Sequence, residues 1–417
     1  MALKAPLRVM EIDLAAPLEP LAWQPDENGA HVLVRHGMDL VGRIWLERSA
    51  HPDGLTAEAL EALARQKLGV ELTRRLLYRE LIAGLDLGPP PPPSLTITVC
   101  TRNRPAMLRR CIESIRATCA QHPELATNVE ILIVDNAPPD DATRDVVAEF
   151  PDVRYVREPV PGLDFARNRA IAECSKAYIA YIDDDAIADR YWLCGFAEAA
   201  QHYPGAACIT GAVLPAALET PAQVYCEMST SFLKGFERIR YVTDRWGDWL
   251  YPCNSVQMGM GANMSFRVGI LEACGGFDEA LDTGPPLGGG GDLDIFYRLI
   301  RMNKLIVYEP GLMVAHEHRR EIQALRKQYF NWGLGGMAYF RKHIAQDPNM
   351  AKQMRGVIWW HILQWFPAEI VRALDRKKSG RNVLLILAEF CGFVKGYFGE
   401  YERSKRRVEQ RIRDASV

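Results

Sequence analysis

Between Ala177 and Ala186 a short apolar run rich in isoleucine and tyrosine stops at three consecutive carboxylates, Asp183, Asp184 and Asp185. A run of this length, with polar or helix-forming sequence on either side, reads as a strand buried on both faces. Adjacent carboxylates repel one another and prefer water to a core. A buried strand that delivers them at its carboxyl end therefore serves either as a solvated turn that caps the next helix or as the seat of a cation. Oxygen ligands of this kind suit Mg²⁺ or Mn²⁺, ions that usually complete their shells with substrate phosphates.

The sequence before this stretch repeats the same arrangement. Leu95 to Cys100, Val129 to Val134 and Val153 to Val156 read as strands. Between them Pro105 opens a helix to about Ala120, a second helix follows Pro138-Pro-Asp140-Asp141, and a third runs from about Leu163 to Glu173. Proline is well placed in a first helical turn, where its missing N–H costs nothing. Strands alternating with helices imply a mostly parallel sheet with right-handed crossovers, flanked by helices. In such sheets ligands bind beyond the carboxyl ends of the strands. Thr101, Asp135 and Asp183 to Asp185 all fall at such ends, so three separate segments converge on one crevice.

The segments Cys100-Thr-Arg-Asn-Arg104, Asp135-Asn-Ala137, Gly162-Leu-Asp-Phe-Ala-Arg-Asn168 and Ile182-Asp-Asp-Asp185 occur in the order seen in the inverting glycosyltransferases of family 2, which this chain resembles over residues 95–320. The resemblance implies the Rossmann-like GT-A fold, a nucleotide-diphosphosugar donor and a Mn²⁺ or Mg²⁺ cofactor. It implies that Thr101, Arg102, Asn103 and Asp135 hold the nucleoside and that Arg167 lies near the base or the phosphates. It also implies that Asp183 and Asp184 lie toward the donor, Asp183 on the ribose side, with Asp185 on the metal. Asn263, in Gly259-Met-Gly-Ala-Asn263, resembles the segment under the sugar, and either bonds the donor or stabilises a turn.

A second chemical stretch is Gly288-Gly-Gly-Gly291-Asp292-Leu-Asp294-Ile-Phe-Tyr-Arg298, preceded by Pro285. Four glycines permit close approach to a ligand, and Asp292 sits at a helix N-terminus. The family's pattern here is Glu-Asp-x-Asp, with the second acid as general base. Asp292 matches that base and Asp294 the final acid, while Gly291 replaces the Glu. Arg298 follows at helical spacing. His316, in Val314-Ala-His316-Glu-His318, resembles the third metal ligand. His318 shares its parity in an extended segment and is the alternative. Asp294, Arg298 and His318 are expected on the acceptor side or supporting the site.

The flanks differ from this middle part. Residues 1–88 read as a small α+β unit: strands from Leu7 to Leu14 and from His31 to Leu46, with a turn at His36-Gly37-Met38-Asp39, then a helix capped by Thr56. Residues 89–94 begin with five prolines, a stiff extended spacer. The stretch from Pro221 to Tyr251 is aromatic and irregular, lining an acceptor site or forming a mobile loop. Residues 321–417 read as amphipathic helices rich in Trp and Phe, with basic residues such as Lys377, Lys378, Arg381 and Lys395. Such helices either lie on an anionic membrane or pack as a core or a homodimer contact.

The net charge of −2 excludes a general nucleic-acid binder, and ten scattered cysteines with no C-x-x-C pair argue against a zinc or redox site. No secretory leader is expected at the N-terminus, nor an apolar run of about 18 residues. The location expected is cytoplasmic, including the inner face of a membrane. The function expected is an inverting, metal-dependent transfer of a sugar to a glycan or lipid-linked acceptor, in surface polysaccharide or glycolipid synthesis. A sugar nucleotidyltransferase would want a glycine-rich phosphate loop after the first strand, and Thr101 to Arg104 has no glycine. A membrane-associated scaffold that binds a nucleotide sugar without turnover is the non-enzymatic alternative.

Overall fold

The computed structural model describes residues 3–84, 88–230, 232–243, 247–284, 286–374 and 382–415. Lys377, Lys378, Arg381 and Pro285 of the sequence reading lie outside the described residues. The N-terminal unit consists of β1 (Leu7–Asp13), β2 (Gly29–His36), β3 (Asp39–Glu47) and α1 (Ala57–Ala83). Strand β2 pairs parallel to β1 and antiparallel to β3. Gly37 turns the hairpin with a φ of 60°, where glycine carries no steric cost. The Thr56 hydroxyl accepts from Ala59 N at 3.2 Å and caps α1.

The central part runs through β4 (Leu95–Thr101), α2 (Pro105–Gln121), α3 (Pro123–Ala126), β5 (Val129–Asn136), α4 (Ala142–Ala148), β6 (Val153–Glu158), α5 (Leu163–Glu173) and β7 (Tyr178–Ile182). It continues with β8 (Ala186–Ala188), α6 (Trp192–His202), β9 (Ala206–Pro215), α7 (Pro221–Ser229), β10 (Ile239–Tyr241), β11 (Asn263–Arg267) and α8 (Val268–Ala273). The hairpin β12 (Asp282–Gly284) and β13 (Leu287–Gly288), then α9 (Gly291–Arg301) and β14 (Leu305–His316), complete it. The sheet order is β10-β14-β9-β11-β7-β4-β5-β6, with β8 on β14.

Alternation in β7 shows why the sheet is covered twice. Ala180 and Ile182 pack with Leu108 of α2 and Phe196 of α6, while Ile179 and Tyr181 pack with Ala170 of α5 and Phe296 of α9. Successive side chains point to opposite faces, so a strand apolar at every position needs helices on both.

The expected parallel pairing holds for β7-β4-β5-β6. Strand β11 instead enters antiparallel between β7 and β9, with Asn263 beside Ile182. It starts at the crevice rim without a helical crossover and must run back down the sheet. The stretch expected to be irregular contains α7 and β10. A capping box between Thr220 and Gln223 starts α7, a signal legible as Thr-x-x-Gln with proline in the first turn.

Arginines fasten the N-terminal unit to the sheet. Arg35, its side chain fully buried, pairs with Asp189 at 2.5 Å. Arg79 bridges Asp39 at 2.7 Å and Glu198 at 2.6 Å, and Arg43 pairs with Glu227 of α7. A planar guanidinium serves two acceptors at once, which suits it to such joints.

The C-terminal helices are α10 (Ile322–Gln346), α11 (Pro348–Trp360), α12 (Phe366–Leu374), α13 (Val383–Tyr397) and α14 (Glu400–Ala415), with a π-helical turn at His361–Trp365. They pack on the central part. A Cβ at Gly333 of α10 would lie 2.0 Å from the Glu389 carbonyl, and one at Gly392 of α13 would lie 2.0 Å from the Phe330 carbonyl. A Cβ at Gly335 would lie 2.5 Å from the Gly289 carbonyl, so α10 also braces the glycine loop of the crevice. Among the described residues no helix is long and apolar enough to cross a membrane.

Candidate active site

The carboxyl ends of β4, β5 and β7 open on a cavity of about 1010 Å³. Asp183, Asp185 and His316 line it, and one donor atom from each lies within 4.8 Å of the others. Two carboxylates and an imidazole form an O/O/N set that fits Mn²⁺ or Mg²⁺. His316 Nε2 rests 3.2 Å from Asp185 Oδ1. Burial alone would lower the His316 pKa, but the hydrogen bond and charge of Asp185, with Asp183 behind it, lift it. Burial pushes Asp185 up, yet His316, Arg104 and Arg319 together hold its carboxyl well below the usual range. Asp183 is raised to about 6 by burial and by the charge of Asp185.

Asp184 turns the other way. Its carboxylate accepts from Thr101 Oγ1 at 2.8 Å and pairs with Arg104 Nη1 at 2.8 Å. It thus ties the ends of β4 and β7 together. Arg104 also reaches Asp185 at 3.3 Å, and Arg319 does so at 3.6 Å.

The expected alternative ligand, His318, is 2% exposed and does not line the cavity. Its Nε2 lies 3.1 Å from Glu227 Oε2, and its Nδ1 lies 3.5 Å from His316 Nδ1. Glu227 in turn pairs with Arg43. A buried chain therefore runs from the N-terminal unit to the imidazole of His316, the kind of outer support that orients a metal-binding histidine.

Asp292 lines the same cavity at the start of α9. Its Oδ2 accepts from Gly261 N at 3.0 Å and its Oδ1 from Leu293 N at 2.9 Å. Beside it lies Arg167: its Nη1 is 2.8 Å from Asp164 and 3.5 Å from Asp282, and its guanidinium lies 5.2 Å over the Phe277 ring. A Cβ at Gly291 would sit 2.3 Å from Asp164 Oδ2 and 2.7 Å from Asp282 Oδ2. Two carboxylates from elsewhere in the chain thus fill the space into which a side chain at position 291 would grow. Burial and the charge of Asp282 raise Asp164 far above the carboxylate range, against the pull of Arg167. Burial also raises Asp282.

Of the remaining expected residues, Arg102 lines the cavity, and Asn103 is an exposed turn residue with a φ of 55°. Asp135 is buried behind Asn136, with Oδ2 accepting from Tyr155 Oη at 2.9 Å and Oδ1 unpaired among the described residues.

Three of the expected residues, Asn263, Asp294 and Arg298, do not line the cavity. Asn263 is wholly buried: its amide donates to the Ala212 carbonyl at 3.1 Å and the Leu312 carbonyl at 2.7 Å, and accepts from Trp192 Nε1 at 3.1 Å. It pins three segments together and faces no ligand space. Asp294 is buried against Arg298, Lys342 and His343 at 2.6, 2.5 and 2.8 Å. Arg298 also donates to the carbonyls of Cys274 and Gly276 at 2.6 Å. Position i+2 on a helix faces away from position i, so Asp292 and Asp294 cannot share one crevice. Asp164 and Arg104 lie within segments that the motifs marked, and Arg319 directly follows one. Asp282 had no sequence signal, since only the fold brings it to α9.

Residues 96–262 match the family model described as glycosyl transferase family 2. Two curated relatives, the pre-mycofactocin glycosyltransferases of Mycobacterium tuberculosis strains CDC 1551 / Oshkosh and H37Rv, are each 25% identical over 282 residues, 66% of this chain and 54% of theirs. The chain spans about half the length of these relatives. A solved mannosyltransferase from Pyrobaculum calidifontis, in complex with GDP-Man and Mn²⁺, is 17% identical with a TM-score of 0.45, covering 84% of this chain and 94% of that one.

Proposed function

We propose that this chain, a family 2 glycosyltransferase by its residues 96–262 with a mixed α/β GT-A-like fold, transfers a sugar with inversion from a nucleotide-diphosphate donor to a hydroxyl acceptor. The observation that carries this reading is that Asp292 and the Asp183, Asp185 and His316 group line one continuous cavity. In the reaction the acceptor oxygen attacks the anomeric carbon, the bond to the leaving diphosphate breaks, and Asp292 takes the hydroxyl proton. The backbone N–H groups of Gly261 and Leu293 hold that carboxylate in place. Arg102, Arg104 and Arg319 line the cavity and meet the charge that grows on the diphosphate, where fixed cations act without reorganising. A divalent ion held by Asp183, Asp185 and His316 supplies Lewis-acid stabilisation of the leaving group when bound.

The outer faces of the C-terminal helices carry Trp359, Leu363, Val371 and Leu374, each at least 60% exposed. Apolar residues with a tryptophan among them support a reading in which this face rests on a membrane surface. Calorimetry with a panel of UDP- and GDP-sugars, in Mn²⁺ and then in chelator, tests the proposal. One donor should bind in Mn²⁺ and weaken at least tenfold in chelator and in Asp185→Asn. Binding indifferent to both would refute the metal-dependent reading.

A further inference from the structure

The cavity continues from the catalytic groups under the C-terminal helices, and its lining changes character on the way. At the sheet end stand Arg102, Arg104, Arg167 and Arg319. The remainder is walled by aromatic rings that can be followed one to the next. Phe232 lies 6.1 Å from His316 and 5.8 Å from Trp332. Deeper, Phe340 lies 6.3 Å from Phe393, Phe393 lies 5.6 Å from Phe366, and Phe366 lies 4.7 Å from Trp365. Trp365 closes the π-helical turn His361–Trp365. Such turns interrupt helices mostly at functional sites, because they re-aim side chains that an α-helix would place elsewhere.

The charged groups of this region are few and of one sign among the described lining residues. Among the described lining residues it holds no Lys or Arg, and its carboxylates are Glu369 and Glu389. Glu369 is paired with Arg372 at 2.5 Å. Glu389 has no hydrogen-bonded partner among the described residues, and burial raises its carboxyl to about 8, so it keeps its proton at neutral pH and can donate. Gln328 Oε1, also in the wall, is buried and accepts from nothing among the described residues. Among the described lining residues a phosphate placed here would meet acids and rings and no cation, and buried unpaired anions are strongly disfavoured. A flat neutral body would stack on the rings and could bond to Glu389 as donor and Gln328 as acceptor.

We propose that this aromatic corridor is the acceptor subsite, and that the acceptor is a neutral molecule with an aromatic body, presenting its hydroxyl to Asp292. The inference rests on the transferase reading above and narrows its acceptor. Three probes test it on the full chain with Mn²⁺, followed by tryptophan fluorescence and calorimetry: naphthaleneethanol, decyl phosphate and glucose. Naphthaleneethanol should bind saturably and at least tenfold more tightly than either of the others. Trp365→Ala should weaken it roughly two- to tenfold, the worth of one ring contact. Trp332→Phe, which keeps a ring, should weaken it less. Donor affinity of the same samples reports their folding. Equal or tighter binding of decyl phosphate, or a Trp365→Ala variant that binds the naphthyl alcohol as wild type does, would overturn the inference. If donors bind and naphthaleneethanol does not, the acceptor assignment fails alone. If no donor binds, the transferase reading fails with it.

Discussion

Position 291 gives the sharpest handle on how this site is built. In an exposed helix Gly→Ala gains about 0.5–1 kcal/mol. Here a Cβ would lie 2.3 Å from Asp164 Oδ2 and 2.7 Å from Asp282 Oδ2, well inside contact distance. Both carboxylates are held, Asp164 by Arg167 at 2.8 Å and Asp282 by Gly291 N at 3.1 Å. Moving either breaks a charge-assisted bond, which costs about 1.5–3 kcal/mol. With overpacking of about 1–3 kcal/mol, the helix gain is outweighed. Gly291→Ala should therefore lose about 2 kcal/mol in urea unfolding. Turnover should fall at least tenfold, since Asp292 is the next residue and small misplacements cost heavily. Gly291→Glu should be worse, because it adds a third acid beside two. Adding Asp164→Gly to Gly291→Glu vacates that space and should restore part of both losses. A Gly291→Glu single variant as stable and active as wild type would refute the claim that Asp164 and Asp282 fill the space beside position 291.

Three further outcomes follow from the same geometry. His318→Ala removes the group between His316 and Glu227, and should weaken Mn²⁺ binding by about 10- to 100-fold; titration followed by Mn²⁺ magnetic resonance reads it, and unchanged affinity would leave His318 a packing residue. Glu389 is raised to about 8, so the folded chain holds more protons than the unfolded one between the ordinary carboxylate pKa and that value. Stability should therefore fall as pH rises through this window, by on the order of 1 kcal/mol for a group beside an open cavity. Glu389→Gln should flatten the urea midpoint against pH, and an identical slope in the variant would contradict the assignment. Replacing Trp359, Leu363 and Val371 together by serine should abolish pelleting with anionic liposomes while leaving donor binding intact; pelleting equal to wild type would remove the membrane from the account.

Strand ends were legible because a strand apolar on both faces that stops at acids has few other uses. The stretch from Ala177 to Asp185 therefore brought carboxylates to the crevice, and the parity of His316 and His318 left two histidines as candidates to join them. Parity could not decide between them, since the choice depends on Glu227, which arrives from α7. The sequence leaves Asn263 between bonding the donor and stabilising a turn, and only the pairing of β11 shows it buried and holding three segments together. Asp164 and Asp282 were invisible as a pair, because their meeting at Gly291 is made by tertiary packing alone. The C-terminal helices announced their apolar faces but not which of them would wall a cavity. The glycines at 333, 335 and 392 decide that, by letting backbone meet backbone.

The most direct test of the central claim is release of nucleoside diphosphate from a panel of nucleotide sugars, with Mn²⁺ and with chelator, by wild type and Asp292→Asn. The account predicts release from one donor that stops in chelator and falls about 10²- to 10⁴-fold in Asp292→Asn, the usual worth of a general base, while that variant still binds the donor. Release that persists unchanged in Asp292→Asn would contradict the role given to Asp292 and the reading of the crevice built on it.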